Sequence, residues 1–103
     1  MPQPSDLNQR LIAVIAAIPA GDWCSYGEVA RRAGLPGYHR QVAQLLARQP
    51  SGGTLPWHRV LRADGRPGLA EGSTGYREQL QRLRAEGVRI ENGRARRPLS
   101  EPG

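Results

Sequence analysis

The sequence has no lysine, no phenylalanine and a single cysteine, Cys24. One cysteine excludes an internal disulfide and a cysteine-based zinc site, and it suits a reducing cytoplasm. Aromatic residues make up 5% and hydrophobic residues 38% of 103 residues, so the core must be built from Leu, Ile, Val and Ala. That length supports one domain with one modest core. The longest apolar run, Leu11 to Ile18, is far short of the roughly 20 residues that cross a bilayer. No basic stretch precedes it and Asp6 sits just before it, so neither a membrane span nor a signal peptide is expected. Without lysine, all 15 basic residues are arginine, and the formal net charge is +6. Such a balance suits a nucleic-acid partner, although solubility and an arginine-rich codon usage would produce it too. Arginine differs from lysine in gripping phosphates bidentately and stacking on bases.

Leu7, Leu11, Val14, Ile15 and Ile18 fall on one helical stripe. Asp6 is expected to cap that helix with Gln9 as its partner, and Pro19 and Gly21 to stop it. Ser25-Tyr26-Gly27-Glu28 has capping-box spacing and opens a second helix that ends at Gly34. A third helix is expected from about Tyr38 to Arg48, burying Val42, Leu45 and Leu46. Two short helices around a Gly-containing turn describe a helix-turn-helix, and equally any αα-hairpin. Gln49 to Leu55 reads as a polar loop, Val60-Leu61 as a short extended piece, and Arg62 to Ser73 as a mobile loop or wing. Tyr76, Leu80, Leu83 and Glu86 follow helical spacing, with Gly87 in the position just past the helix end. The alternating stretch Val88 to Arg96, centred on Asn92-Gly93, predicts a β-hairpin. The expected fold is mainly α (α+β), a winged helix-turn-helix-like DNA-binding domain with a small C-terminal β-hairpin. It occupies residues 6–96, with disordered tails at 1–5 and 97–103.

Thr54-Leu-Pro-Trp-His-Arg-Val60 surrounds one position with groups that suit a reactive side chain, yet indole is neither nucleophile, acid nor base. Ile18-Pro19-x-Gly21, Ser25-Tyr26-Gly27-Glu28-Val29-Ala30, Gly34-x-Pro36, Arg40-Gln41-Val42, Pro56-x-His58-Arg59-Val60 and Glu86-Gly87 occur in that order. Together, over roughly residues 7 to 90, they resemble the DNA-binding domain of O6-alkylguanine-DNA alkyltransferases. In the transferases the centre of Pro-x-His-Arg-Val is the alkyl-accepting cysteine; Trp57 stands there in this chain. That replacement is similar to what marks the alkyltransferase-like proteins.

The resemblance implies a role for each matched position. Arg40 matches the arginine finger that fills the space of an extruded nucleotide. Tyr26 matches the tyrosine that crowds the 3′ phosphate and helps rotate the base. Trp57 lies where the acceptor would meet the flipped base. His58 and Glu86 match the pair that activates the acceptor thiol, here left as structural hydrogen-bonding groups, and Arg59 matches the arginine that anchors the loop. Gln49 stands where the family usually has Asn, eight positions before the acceptor, and the loop 62–73 matches only in its glycines. No catalytic residue, metal or cofactor is implied. The implied function is non-enzymatic sensing of O6-alkylguanine in double-stranded DNA by nucleotide flipping. The implied handover is to nucleotide excision repair, by a monomeric, nucleoid-associated cytoplasmic protein. Two other readings remain at this level: a transferase acting through Cys24, and a helix-turn-helix transcription regulator. Read without a motif, Trp23 and Cys24 are core residues and His39 is a surface residue near the phosphates.

Overall fold

A computed structural model describes residues 4–48 and 53–97. In chain order the elements are helix α1 (Pro4–Ala16), strand β1 (Cys24–Ser25), helices α2 (Tyr26–Arg32) and α3 (His39–Ala47), a 3₁₀ turn (Trp57–Arg59), strand β2 (Val60–Leu61), helix α4 (Thr74–Ala85), and strands β3 (Ile90–Glu91) and β4 (Arg94–Ala95). The architecture is mostly helical, as the sequence predicts, with the α2–α3 pair in the middle and a β3–β4 hairpin after α4.

The apolar stripe of α1 buries Leu11 and Ile15, and Ile18 follows just beyond the helix. They pack with Cys24, Val29, Ala30, Leu35, Val42 and Val60 in a first core. Trp23, Leu61, Leu83, Val88 and Ala95 form a second core under α4 and the hairpin. The two cores meet at β1 and β2, which pair in parallel with Cys24 opposite Val60 and Ser25 opposite Leu61. Side chains of an extended chain alternate in direction. Accordingly Trp23 and Leu61 enter the second core while their neighbours Cys24 and Val60 enter the first. Two-residue strands have no periodicity to read, and the sequence does not announce this pairing.

The turns follow from named residues. Ser25 caps α2: its Oγ accepts from Glu28 N at 3.1 Å, and Glu28 Oε1 accepts from Ser25 N at 2.9 Å. Gly34, at φ +78°, lets the chain reverse so that Leu35 N–H donates to Ala30 O at 2.8 Å and Gly34 N–H to Arg31 O at 3.0 Å. The same six-residue closure ends α4, where Val88 N–H donates to Leu83 O and Gly87 N–H to Arg84 O, both at 3.0 Å. Asn92 and Gly93, at φ +53° and +75°, make the turn that Asn-Gly favours between two strands.

Three expectations are corrected. Asp6 does not cap α1, which starts at Pro4 and holds Asp6 within its first turn; there the carboxylate faces the positive end of the helix dipole. The 62–73 loop is fastened in its first half: Arg62 N–H donates to Arg66 O, and Ala95 N–H to Gly65 O, each at 2.8 Å. Gly65, at φ +85°, lies so close to the Ala95 carbonyl that no side chain fits. Arg97, assigned to a tail, is held in place. Its guanidinium stacks 3.8 Å from the Trp23 ring centre, donates to Trp23 O at 2.5 Å, and pairs with Glu28. Among the expected tail residues, 1–3 and 98–103 lie outside the described residues.

Candidate nucleic-acid interface

The site is built from five pieces that the two cores bring together. Helix α3 carries His39 and Arg40 in its exposed first turn, with no acidic residue there. Arg40 makes no ion pair with a described residue. Arg40, Ala43 and Ala47 follow one another at helical spacing and share a face. Further along that face, Ala43, Leu46 and Ala47 form one wall of a cavity of about 290 Å³. Tyr26 from the start of α2, Trp57 and Val60 from the 3₁₀ turn and β2, Gly68 and Leu69 from the loop, and Gln79 from α4 complete it. The volume is at the small end of the range for ligand sites. Two larger hollows, of about 630 and 490 Å³, lie on α1 and between α1 and the 53–56 segment, and Trp57 is not among their described lining residues.

Trp57 is half-buried. The His58 ring meets its indole edge-on, at 6.2 Å and 84°, and the Arg82 guanidinium stands 5.7 Å from its ring centre. Below it is a polar cluster that fixes the turn. Arg59 donates through Nε to Glu86 Oε1 at 3.0 Å and through Nη2 to Glu86 Oε2 at 2.6 Å. Its remaining Nη1 donates to Ile18 O at 2.7 Å. His58 Nε2 lies 3.0 Å from Glu86 Oε2. The Arg59 hydrogen bonds, helped by His58 and opposed by burial, hold the Glu86 carboxyl at about 2. The same hydrogen bonds raise the Arg59 guanidinium above its ordinary value. In the neutral ring, Nε2 carries the proton that faces Glu86, which leaves Nδ1 an acceptor. Nδ1 is sealed from solvent with no partner among the described residues. Glu86 can reach both residues because it caps the end of α4, one residue past Ala85 and just before the Gly87 reversal.

Among the described residues, the cavity lining contains no Cys, Ser or Thr. Cys24 is fully buried in the first core, where burial raises its thiol pKa, with Arg32 acting in the opposite sense. Thiolate is the reactive form, so Cys24 is neither at the cavity nor activated. The Tyr26 phenol is likewise pushed up by burial against the smaller effect of Arg62, and it stays neutral.

Of the residues singled out in the sequence, Tyr26 and Trp57 line one cavity; His58, Arg59 and Glu86 form the cluster beneath it; and Arg40 stands on the exposed end of the α3 face. Gln49 lies outside the described residues. The sequence reading missed Gln79, Gly68, Leu69 and Arg82. A signal for Gln79 was available, since it lies three residues after Tyr76 and just before Leu80, on the buried face of α4.

Residues 6–88 match the family model described as the 6-O-methylguanine DNA methyltransferase DNA-binding domain. The chain is similar to the DNA base-flipping protein of Escherichia coli, at 42% identity over 87% of this chain and 68% of that protein. It is also similar to alkyltransferase-like protein 1 of Schizosaccharomyces pombe, at 40% identity over 79% of this chain and 75% of that one. Its fold superposes on S. pombe Atl1 in complex with damaged DNA containing O6-carboxymethylguanine, with a TM-score of 0.81, 32% identity and coverage of 96% and 94% of the two chains. It also superposes on the Mycobacterium tuberculosis methyltransferase OGT in complex with DNA, with a TM-score of 0.68, though it spans only 49% of that chain.

Proposed function

The chain belongs to the alkyltransferase-like family, built on the 6-O-methylguanine DNA methyltransferase DNA-binding domain, and on that premise we propose that it is a non-enzymatic sensor of O6-alkylguanine in duplex DNA. The observation that carries this reading is a base-sized cavity walled by Trp57, with no Cys, Ser or Thr among the described residues that line it. Alkyl transfer requires a nucleophile within bonding reach of the alkyl carbon and a base to activate it. Here the position matching the acceptor is an indole, and His58 and Glu86 are engaged in holding the turn.

A base reaches such a cavity only by leaving the duplex, at a cost of a few kcal/mol. Helix α3 delivers Arg40 to the stack, where an inserted side chain offsets the lost stacking. Exposed arginines supply the phosphate grip. The apolar indole face suits an alkyl group, and its N–H can serve one acceptor on the base. A sensor that does not react can release and bind again, so a second system must complete the repair; nucleotide excision repair is the natural recipient.

Two measurements with one set of duplexes test the reading. The protein should bind a duplex carrying O6-methylguanine at least tenfold more tightly than its unmodified counterpart, on the order of one mismatch's worth of discrimination. Excess protein incubated with radiolabelled O6-methylguanine DNA should remain unlabelled. Equal affinities would reduce the protein to a general DNA-binding domain, and label on the protein would make it a transferase.

Gly68→Ala tests the part assigned to Tyr26. A Cβ at Gly68 would stand 2.5 Å from the Tyr26 hydroxyl and 3.2 Å from Cζ, so the phenol must shift. Fluorescence of 2-aminopurine beside the lesion, which reports extrusion, should fall several-fold, while stability drops by about 1 kcal/mol. Extrusion unchanged by the shift would leave Tyr26 as a packing residue only.

A further inference from the structure

We infer that Arg97 is a positioning residue for extrusion, bracing the first turn of α2 so that Tyr26 can press against the DNA backbone without giving way; the inference rests on the sensor reading above, in which Tyr26 helps turn the nucleotide out. Arg97, the last described residue, grips the segment that leads into α2. Nη1 donates to Trp23 O at 2.5 Å and lies 3.7 Å from Asp22 Oδ1. Nη2 pairs with Glu28 Oε1. The guanidinium covers the Trp23 ring at 3.8 Å. Trp23 is 3% exposed and belongs to the second core, so the brace stands on a fixed base. A planar guanidinium can stack on a ring and donate from its own edge at the same time, which an ammonium cannot.

The Glu28 oxygen that receives Arg97 is the one that accepts from Ser25 N at 2.9 Å. One atom thereby closes the capping box and ties it to Arg97. Helix α2 has seven residues, too few to hold a helix unaided, so its start is set by its cap and by whatever holds the cap. Tyr26 follows the capping Ser25 directly, and its hydroxyl lies against Gly68 at the cavity. Turning a nucleotide out costs a few kcal/mol, and a ring that pushes on a phosphate passes the reaction to its own backbone. The pairing of Ser25 with Leu61 takes up part of that load, and Arg97 takes up part through Glu28. Burial alone would push the Glu28 carboxyl up, yet the Ser25 N–H and Arg97 keep it below its ordinary value, so the brace is charged at neutral pH.

Extrusion and affinity are followed separately to test this. Fluorescence of 2-aminopurine beside O6-methylguanine is recorded at saturating protein, well below each variant's melting temperature, and binding to unmodified duplex is measured across a range of salt. Arg97→Ala should lower the extrusion signal about threefold, the scale of a partly solvated ion pair, with unmodified-duplex affinity and its salt dependence nearly unchanged. Glu28→Gln keeps an oxygen for Ser25 N–H but loses the charge that holds Arg97, and it should lose as much. The double variant Arg97→Ala/Glu28→Gln should then lose no more than either change alone, because both break one link. Arg97→Lys, which keeps a cation for Glu28 without the stacked fork, should fall between alanine and wild type. If Arg97→Ala does not fold, Glu28→Gln and Arg97→Lys carry the same comparison. A variant that melts lower but extrudes as well as the wild type makes Arg97 a stabilising residue only and overturns the assignment. So do additive losses in the double variant. Weaker binding to unmodified duplex with a shallower salt dependence overturns it too, by making Arg97 a phosphate contact. Failure of the underlying reading looks different: the wild type itself would then extrude O6-methylguanine no more than guanine.

Discussion

Acidification from about pH 7 towards about pH 2 is expected to remove about 3 kcal/mol of stability through Glu86 alone. Its carboxyl sits at about 2 in the folded protein against 4.5 for the free side chain. A depressed value stabilises the fold above the free-chain pKa, and the contribution is lost as pH falls through the window between the two. Burial works against the charged form, but the Arg59 fork and His58 prevail. Its side chain is 19% exposed, so solvent screens little of this. Glu28 acts in the same sense: burial opposes its ionisation, and the Ser25 N–H and Arg97 more than compensate. Glu86→Gln should therefore lower the melting temperature near neutral pH by about 12–24 °C, taking about 4–8 °C per kcal/mol for a domain of this size. Its melting point should also depend less on pH between about 4.5 and 2 than that of the wild type. The reason lies in Arg59, which would keep its charge under the 3₁₀ turn and lose the carboxylate that neutralises it. A Glu86→Gln protein that melts with the wild type at neutral pH would show that the cluster adds nothing to the fold.

Arg40→Ala is expected to abolish most of the preference for alkylated over unmodified DNA, with a loss of at least about tenfold in the ratio, while binding to unmodified duplex weakens only about two- to threefold. Arg40 is one of 15 arginines, so its share of the phosphate grip is small. Its place one turn before Ala43 on the face of α3 that forms the cavity wall is not shared by another basic residue: among the described residues, the cavity lining contains none. Removing it should leave the extruded state without the group that fills the gap in the stack. Competition binding with the two duplexes measures the ratio, and 2-aminopurine fluorescence measures extrusion. A variant that keeps the ratio but binds both duplexes less well would place Arg40 among the phosphate contacts.

Legibility in the sequence followed the range of the interaction. The α1 stripe, the Ser25–Glu28 box, the reversals at Gly34 and Gly87 and the Asn92-Gly93 turn are set by residues within a few positions of each other, and all are present. The β1–β2 pair joins residues 36 positions apart through two-residue strands, and no local pattern encodes it. Arg97 was misplaced because the Pro, Ser and Gly that follow it suggest a frayed tail, whereas its stacking partner Trp23 lies 74 residues away. At the site, the ordered motifs led to Tyr26, Trp57, His58, Arg59 and Glu86, which the fold does gather in one region. Gln79 escaped for a different reason: binary patterning expects apolar residues on a buried helix face, and a buried amide breaks that pattern only because its partners are the carbonyls of a distant turn.

The seam between the two cores has a consequence for how long a captured base could be held. Because Cys24 and Val60 face one core while Trp23 and Leu61 face the other, neither core can loosen without disrupting the ladder that anchors its neighbour. Opening is therefore all-or-none, with no cheap partial unfolding of the helix pair away from the Trp57 turn. Dissociation of a bound lesion then has to proceed from the intact cavity, by return of the base to the duplex, and residence time becomes a property of the cavity's contacts instead of the domain's breathing.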